Sequence, residues 1–361
     1  MRKKAFIFAA VVLSLLAASC SRTEGKDLLL SEFDEVVCLE PSDSVDLEKD
    51  GILMPESVDV YGDWFVIRKT GGENNIVLLN PGTGESIGCF KTGRGPGEVI
   101  NIGSVQILGD SLYVYDVSRA ETSVLDLGAS IRERRQVLVR AAPESFSGGA
   151  LLRPFRLYRY PGGVMVAGLF DDGTWYASFD GGGEECGRIL QIEYGGTEGM
   201  TSVEKSSFHL SSTFSVRPDG GKAVCAMSVG GAFSIADIGP DGTVETVRKV
   251  YYAPQLSKSE GGRAVSPSYS PENRRAFCGA AADERSIYLL YSGKSALDGA
   301  GPQYQCRHLL VYDWEGNPVR RYELSAELNS FCLTGTTVYG VSSYPSGRLY
   351  RYELPDGCII P

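Results

Sequence analysis

Short runs of alternating or continuous apolar residues recur along the chain, each bounded by Gly, Asp or Pro. One pattern appears six times: a strand after a Gly/Asp turn, a second strand ending in an acid or amide, another turn, and a third strand. The first of these reads Trp64-Phe-Val-Ile67, Leu112-Tyr-Val-Tyr115, Val164-Met-Val-Ala167, Ala223-Val-Cys-Ala226, Ile287-Tyr-Leu-Leu290 and Val338-Tyr-Gly-Val341, with successive starts 48, 52, 59, 64 and 51 residues apart. The second reads Ile76–Asn80, Ser123–Asp126, Tyr176–Asp180, Phe233–Asp237, Leu309–Asp313 and Leu349–Glu353. Runs rich in β-branched and aromatic residues, with no helical periodicity between them, predict strands. Adding an inner strand before each unit and an outer one such as Thr243–Arg248 gives four strands per unit. A four-stranded unit repeated six times predicts an all-β, six-bladed β-propeller with antiparallel blades.

The ends of the repeat matter. After Glu353 the sixth unit has only a few residues left for its outer strand, whereas Asp34–Glu40 precedes the first unit without a partner. This N-terminal strand is expected to complete the last blade and close the ring, removing an edge open to pairing with other chains. The C-terminal Cys358-Ile-Ile is the alternative. Connections between first and second strands are tight, as at Leu108-Gly-Asp110, and third-to-fourth connections are expected to be tight as well. Those on the opposite face are long, at residues 91–103, 140–152, 193–207, 251–275 and 291–307. Long segments on a rigid scaffold are where binding concentrates, the alternative being that they brace the ring.

The N-terminus follows a different pattern. Arg2-Lys3-Lys4 precedes an apolar run from Ala5 to Ala18 broken only by Ser14, too short for a comfortable span and suited to a signal peptide. The run ends in Leu16-Ala17-Ala18-Ser19-Cys20, which resembles the bacterial lipobox. The reading is a lipoprotein signal peptide over 1–19, acylation of Cys20, a tether over 20–33 and one propeller domain over 34–361. Acyl chains would hold the protein on a membrane without a transmembrane helix. Glu24 and Asp27 do not form an acidic run resembling a surface-export signal, so an outer-membrane position facing the periplasm is expected, with the cell surface as the alternative.

Composition narrows the chemistry. The formal net charge of −10 speaks against sequence-independent nucleic-acid binding, and two His exclude a multi-histidine metal site. The nine Cys show no CxxC spacing, and Cys225, Cys278 and Cys332 sit in strand contexts that suit buried small hydrophobes. No Gly-x-Ser-x-Gly elbow or Walker loop occurs. Asp171-Asp-Gly-Thr-Trp175 lacks one residue of the sialidase Asp box and appears once, which suits a plain hairpin. No catalytic residue, metal or cofactor is assigned.

Phe90-Lys-Thr-Gly93-Arg94-Gly95-Pro96-Gly97-Glu98 is the most distinctive motif. Together with the lipobox and the six repeats, it resembles the TolB-like six-bladed propeller lipoproteins of Bacteroidota, in which a Gly-x-Gly-Pro-Gly-Glu stretch sits in an early blade. The resemblance implies the fold, and implies a binding or scaffold role without an assigned reaction. The expected function is therefore a lipid-anchored, monomeric envelope module that binds a peptide, a glycan or an envelope protein. The alternative is a carbohydrate-active enzyme working at the channel mouth. Ligand contacts on the long-loop face are expected from Arg94, Glu98, Arg119, Asp171, Trp175, Arg274, Tyr304 and Tyr344, because Arg and aromatic side chains anchor interfaces. For Arg94, Glu98 and Arg119 the competing expectation is mutual or neighbouring ion pairs.

Overall fold

The computed structural model describes residues 27–193, 200–210, 212–239, 242–252, 256–258, 267–269, 271–299 and 301–355. Two units divide the chain, Met1–Glu32 and Phe33–Pro361. In the first, Asp27 accepts hydrogen bonds from the amides of Leu29 and Leu30, ahead of the 3-10 turn Leu30–Glu32.

The second unit is the propeller. Blade one consists of Met54–Tyr61, Trp64–Thr70, Asn74–Asn80 and Glu85–Lys91, each strand antiparallel to the next. Blades two to four repeat this plan over Ile102–Pro143, Leu151–Leu190 and Ser212–Val250, and the fifth begins at Phe277. Every second and third strand predicted from the repeat is present. These strands are covered on both faces, so they read as continuous apolar runs; Ser286–Tyr291 is buried at every position. Outer strands have one face in water and alternate, as Gly242–Val250 does.

The core lies in the seams between blades. Val66, Ile76 and Leu78 of blade one pack with Leu112, Val114 and Leu125 of blade two. Met165 and Trp175 of blade three pack with Ala223 and Cys225 of blade four. The seam between blades four and five is aromatic, with Phe233 centred 4.9 Å from Tyr312 and 6.1 Å from Phe277. Blades approach so closely that some positions admit no side chain. A Cβ on Gly103 would lie 2.1 Å from the Phe155 carbonyl oxygen of the next blade.

The N-terminal segment does close the ring, though with different residues from those expected. Asp43–Asp46 pairs antiparallel with Arg348–Glu353 and supplies the outer strand of blade six. The earlier segment, Val36–Leu39, pairs parallel with the long strand Pro318–Leu328 as a fifth strand of blade five. The N-terminus thus straps the two final blades together, and the Glu35 to Arg320 ion pair at 2.6 Å fastens it. Cys358 lies outside the described residues.

Among the described residues, two short α-helices interrupt the all-strand pattern. Leu127–Glu133 occupies the third-to-fourth connection of blade two, which is therefore not tight; Asp126 caps it by accepting from the Ala129 amide at 2.7 Å. Ser202–His209 fills the long connection into blade four and begins with a Thr201/Glu204 capping box.

Candidate binding face and channel

The Gly-rich loop after blade one is built on its own hydrogen bonds. The Glu98 carboxylate turns inward and accepts from the Gly95 amide at 2.7 Å; a Cβ on Gly93 would sit 2.0 Å from that carboxylate. Gln136 accepts from the Phe90 amide at 2.6 Å and donates to the Gly97 carbonyl at 3.0 Å. Arg119 donates to the Glu98 carbonyl at 3.2 Å and pairs with Glu121 at 2.9 Å. Arg119 thus forms the neighbouring ion pair that the competing expectation named, whereas Glu98 holds the loop through a backbone amide and not through an ion pair. Arg94 is exposed, with no ion pair among the described residues.

Trp175 is a correction. It is 1% exposed, its indole N–H donates to the Ser212 hydroxyl at 3.0 Å, and His209 stacks edge-on against it at 5.4 Å. The side chain points into the seam between blades three and four and offers no surface to a ligand. Asp171 stays exposed, while the adjacent Asp172 caps the hairpin by accepting from the Thr174 amide at 3.1 Å and hydroxyl at 2.7 Å. The helix Ser202–His209 braces this region. Ser206 donates to the Phe170 carbonyl at 2.9 Å, and His209 accepts from the Ile192 amide at 3.1 Å. Burial lowers the His209 pKa to about 4, so the ring stays neutral.

Three expected residues stand on another sector of the same face. Arg274 lies over the Tyr252 ring at 5.1 Å and donates to the Gly293 carbonyl at 2.9 Å. Tyr304 and Tyr344 are 38% and 51% exposed, and Leu297, in the same blade-five loop as Tyr304, is 52% exposed. The loops carrying them are joined: Ser342 donates to Gln305 at 3.1 Å, and Gly301 packs under the Tyr344 ring. Leu53 and Met54, 58% and 46% exposed, continue the band into blade one, where Gly347 lies against the Leu53 carbonyl. The result is an apolar, partly aromatic band across blades five, six and one.

Sequence reasoning did not find the channel chemistry. A cavity of about 640 Å³ runs between the six inner strands, and Glu56, Asp59, Arg68, Arg156, Tyr158 and Cys278 contribute to its wall. Desolvation raises the Asp59 carboxyl to about 7. Glu56 instead pairs with Arg68 at 2.8 Å. Arg156 reaches across to donate to the Ser212 carbonyl; burial, with Arg68 and Arg275 adding repulsion, lowers its pKa. A hydrogen bond from Cys306 lowers the Cys278 thiol, with the Arg275 guanidinium acting in the same direction. The seven described cysteines are free thiols. Cys225 is buried as expected, whereas Cys278 and Cys332 are half-buried along the channel.

The family model described as TolB-like 6-blade propeller-like matches residues 88–336, more than half of the chain. The chain belongs to this family. Among solved structures, luciferin-regenerating enzyme is similar at 10% identity over 87% of this chain and 96% of its own, with a TM-score of 0.51. A putative exported protein from Bacteroides fragilis NCTC 9343 is similar at 10% identity over 89% and 99%, with a TM-score of 0.47. BamB from Moraxella catarrhalis is similar at 10% identity over 84% and 85%, with a TM-score of 0.39. These likenesses concern the fold alone. No curated protein matches the chain. Among the described residues, no helix is long and apolar enough to cross a membrane, and no group of three or more His, Cys, Asp or Glu could hold a metal ion.

Proposed function

We propose that this TolB-like propeller is a lipid-anchored cell-envelope module that binds a peptide, glycan or envelope-protein partner through its long-loop face. The observation that carries the reading is the exposed band of Leu53, Met54, Leu297, Tyr304 and Tyr344. Water-exposed apolar side chains gathered on one sector of a rigid ring are the kind of surface that association buries. Glu98 in the Gly-rich loop and the helix Ser202–His209 are engaged in bracing hydrogen bonds, which favours blades five, six and one for binding. Anchoring rests on the Leu16–Cys20 lipobox, outside the described residues, and an outer-membrane, periplasm-facing position goes with it. The direct test is association of the native envelope partner with Tyr304→Ser/Tyr344→Ser protein. Loss of association supports the reading, and unchanged association by the doubly substituted face contradicts it.

A second reading, a lyase or glycoside hydrolase at the channel mouth, draws support from Asp59 alone. Glycoside chemistry needs a second carboxyl set opposite the first across the bond to be cleaved. The other channel carboxylate, Glu56, is held by Arg68 and the Thr70 hydroxyl. The binding reading is therefore preferred.

A further inference from the structure

Two guanidinium groups, those of Arg68 and Arg156, line the long-loop end of the channel, and Arg275 stands behind the wall, where it acts on both Arg156 and the Cys278 thiol. Arg68 comes from the second strand of blade one and Arg156 from the inner strand of blade three. Arg275 comes from the chain entering blade five, where its backbone bridges to Val229 of blade four. Arg156 is placed at this end by its bond to Ser212, the first residue of the blade-four inner strand. Arg275 is placed there by its amide bond to the Lys294 carbonyl in the long blade-five loop, 2.7 Å away. Arg156 and Arg275 have no carboxylate partner among the described residues, and Arg275 Nε is buried without a hydrogen-bond acceptor. Glu56 is the one carboxylate paired with the group, through Arg68. A buried guanidinium donor without an acceptor is costly, and like charges held together in a low-dielectric cleft focus a positive potential.

We propose that the long-loop end of the channel is an oxyanion site, in which Arg156 and Arg68, with Arg275 adding positive charge from behind the wall, receive a carboxylate or phosphate group of a small ligand. Guanidinium groups present paired N–H donors in a planar fork that matches both oxyanions. A cavity of about 640 Å³ is of the size that holds a small molecule. The site is distinct from the exposed apolar band, so either can fail without the other.

Cys278 is a built-in reporter. It lines the channel, and Arg275 acts directly on its thiol. An anion seated on Arg156 beside Cys278 would offset the stabilisation that Arg275 gives the thiolate and shield the sulfur. The experiment measures alkylation of Cys278 by iodoacetamide, resolved by peptide mass spectrometry, in the full mature chain at constant ionic strength. Inorganic phosphate, D-glucuronate and chloride are titrated separately. The expected result is a saturable slowing by phosphate, by glucuronate or by both, about tenfold if the thiol rises by one pKa unit. Chloride should have no such effect, and the slowing should be lost in Arg156→Gln. Slowing by phosphate alone assigns a phosphate group to the ligand; slowing by glucuronate alone assigns a carboxylate. Melting temperatures of the unsubstituted protein under the same titrations give a second readout that needs no variant. No saturable change in either readout with phosphate or glucuronate overturns the proposal, as does equal slowing by chloride.

Discussion

Replacing Asp59 by Asn should make the propeller more stable above neutral pH. The carboxyl sits on the inner strand of blade one, on the channel wall near Tyr158 and Cys332, where desolvation raises it from 3.8 to about 7. The folded state therefore holds a proton that the unfolded chain has released between those values. Stability must then fall as pH rises through this window, and the whole cost is present above about pH 7. The gap between 3.8 and about 7 corresponds to roughly 4 kcal/mol as an upper limit, and water in the channel reduces it. Asn keeps the shape and cannot ionise. Urea unfolding of both proteins from pH 4 to pH 8 isolates the effect, because every other titrating group is shared. His209 is one of these, and it acts in the opposite sense: its depressed pKa makes stability fall as pH drops from 6.5 towards 4. Relative to its value at pH 4, the stability difference should move in favour of the Asn protein by at least about 1 kcal/mol at pH 8. Parallel stability curves, or a shift favouring the wild type at pH 8, would refute the reasoning.

Ring closure predicts an asymmetry between two deletions: removing Asp43–Asp46 should abolish a single cooperative urea transition, whereas removing Val36–Leu39 leaves blade six complete and should only lower the midpoint. Glu98→Ala removes the acceptor for the Gly95 amide, and should cost about 1–3 kcal/mol with faster proteolysis at Arg94, read by limited trypsin digestion. Leu78→Ala, fully buried in the seam between blades one and two, should cost about 2–5 kcal/mol in the same urea assay. Cys20→Ala should move the protein from the membrane fraction to the soluble one, as read by fractionation and immunoblot.

The architecture was legible because the middle strands of each blade are covered on both faces. Double coverage forces continuous apolar runs such as Ile76–Leu79, and their repetition at a near-constant interval exposes the blades. The closing strand was hidden for the opposite reason. Asp43–Asp46 contributes only Val45 to an apolar cluster and is held by its backbone ladder, so its composition reads as a loop. Val36–Leu39 looked like the better strand because Leu39 is buried and Val37 packs against the same cluster, but that cluster lies between blades five and six. Tyr304 and Tyr344 are exposed in long loops of the expected face, as the loop lengths implied. Trp175 failed because a position beside a hairpin does not say which way the indole turns; it turned into the seam, where Ser212 accepts its N–H. Asp59, Arg68 and Arg156 come to one channel only through the closed ring, and groups gathered from separate blades leave no local spacing to recognise.

The most direct test of the binding account is site-specific photo-crosslinking in the cell envelope. A photoreactive residue is placed singly at Leu297, Tyr304 or Tyr344 on the long-loop face, and at Asp63 or Asp110 in the tight turns. The account predicts that the three long-loop positions give the same discrete adduct while the tight-turn positions give none. Adducts from the tight-turn positions alone, or equal adducts from both faces, would contradict it.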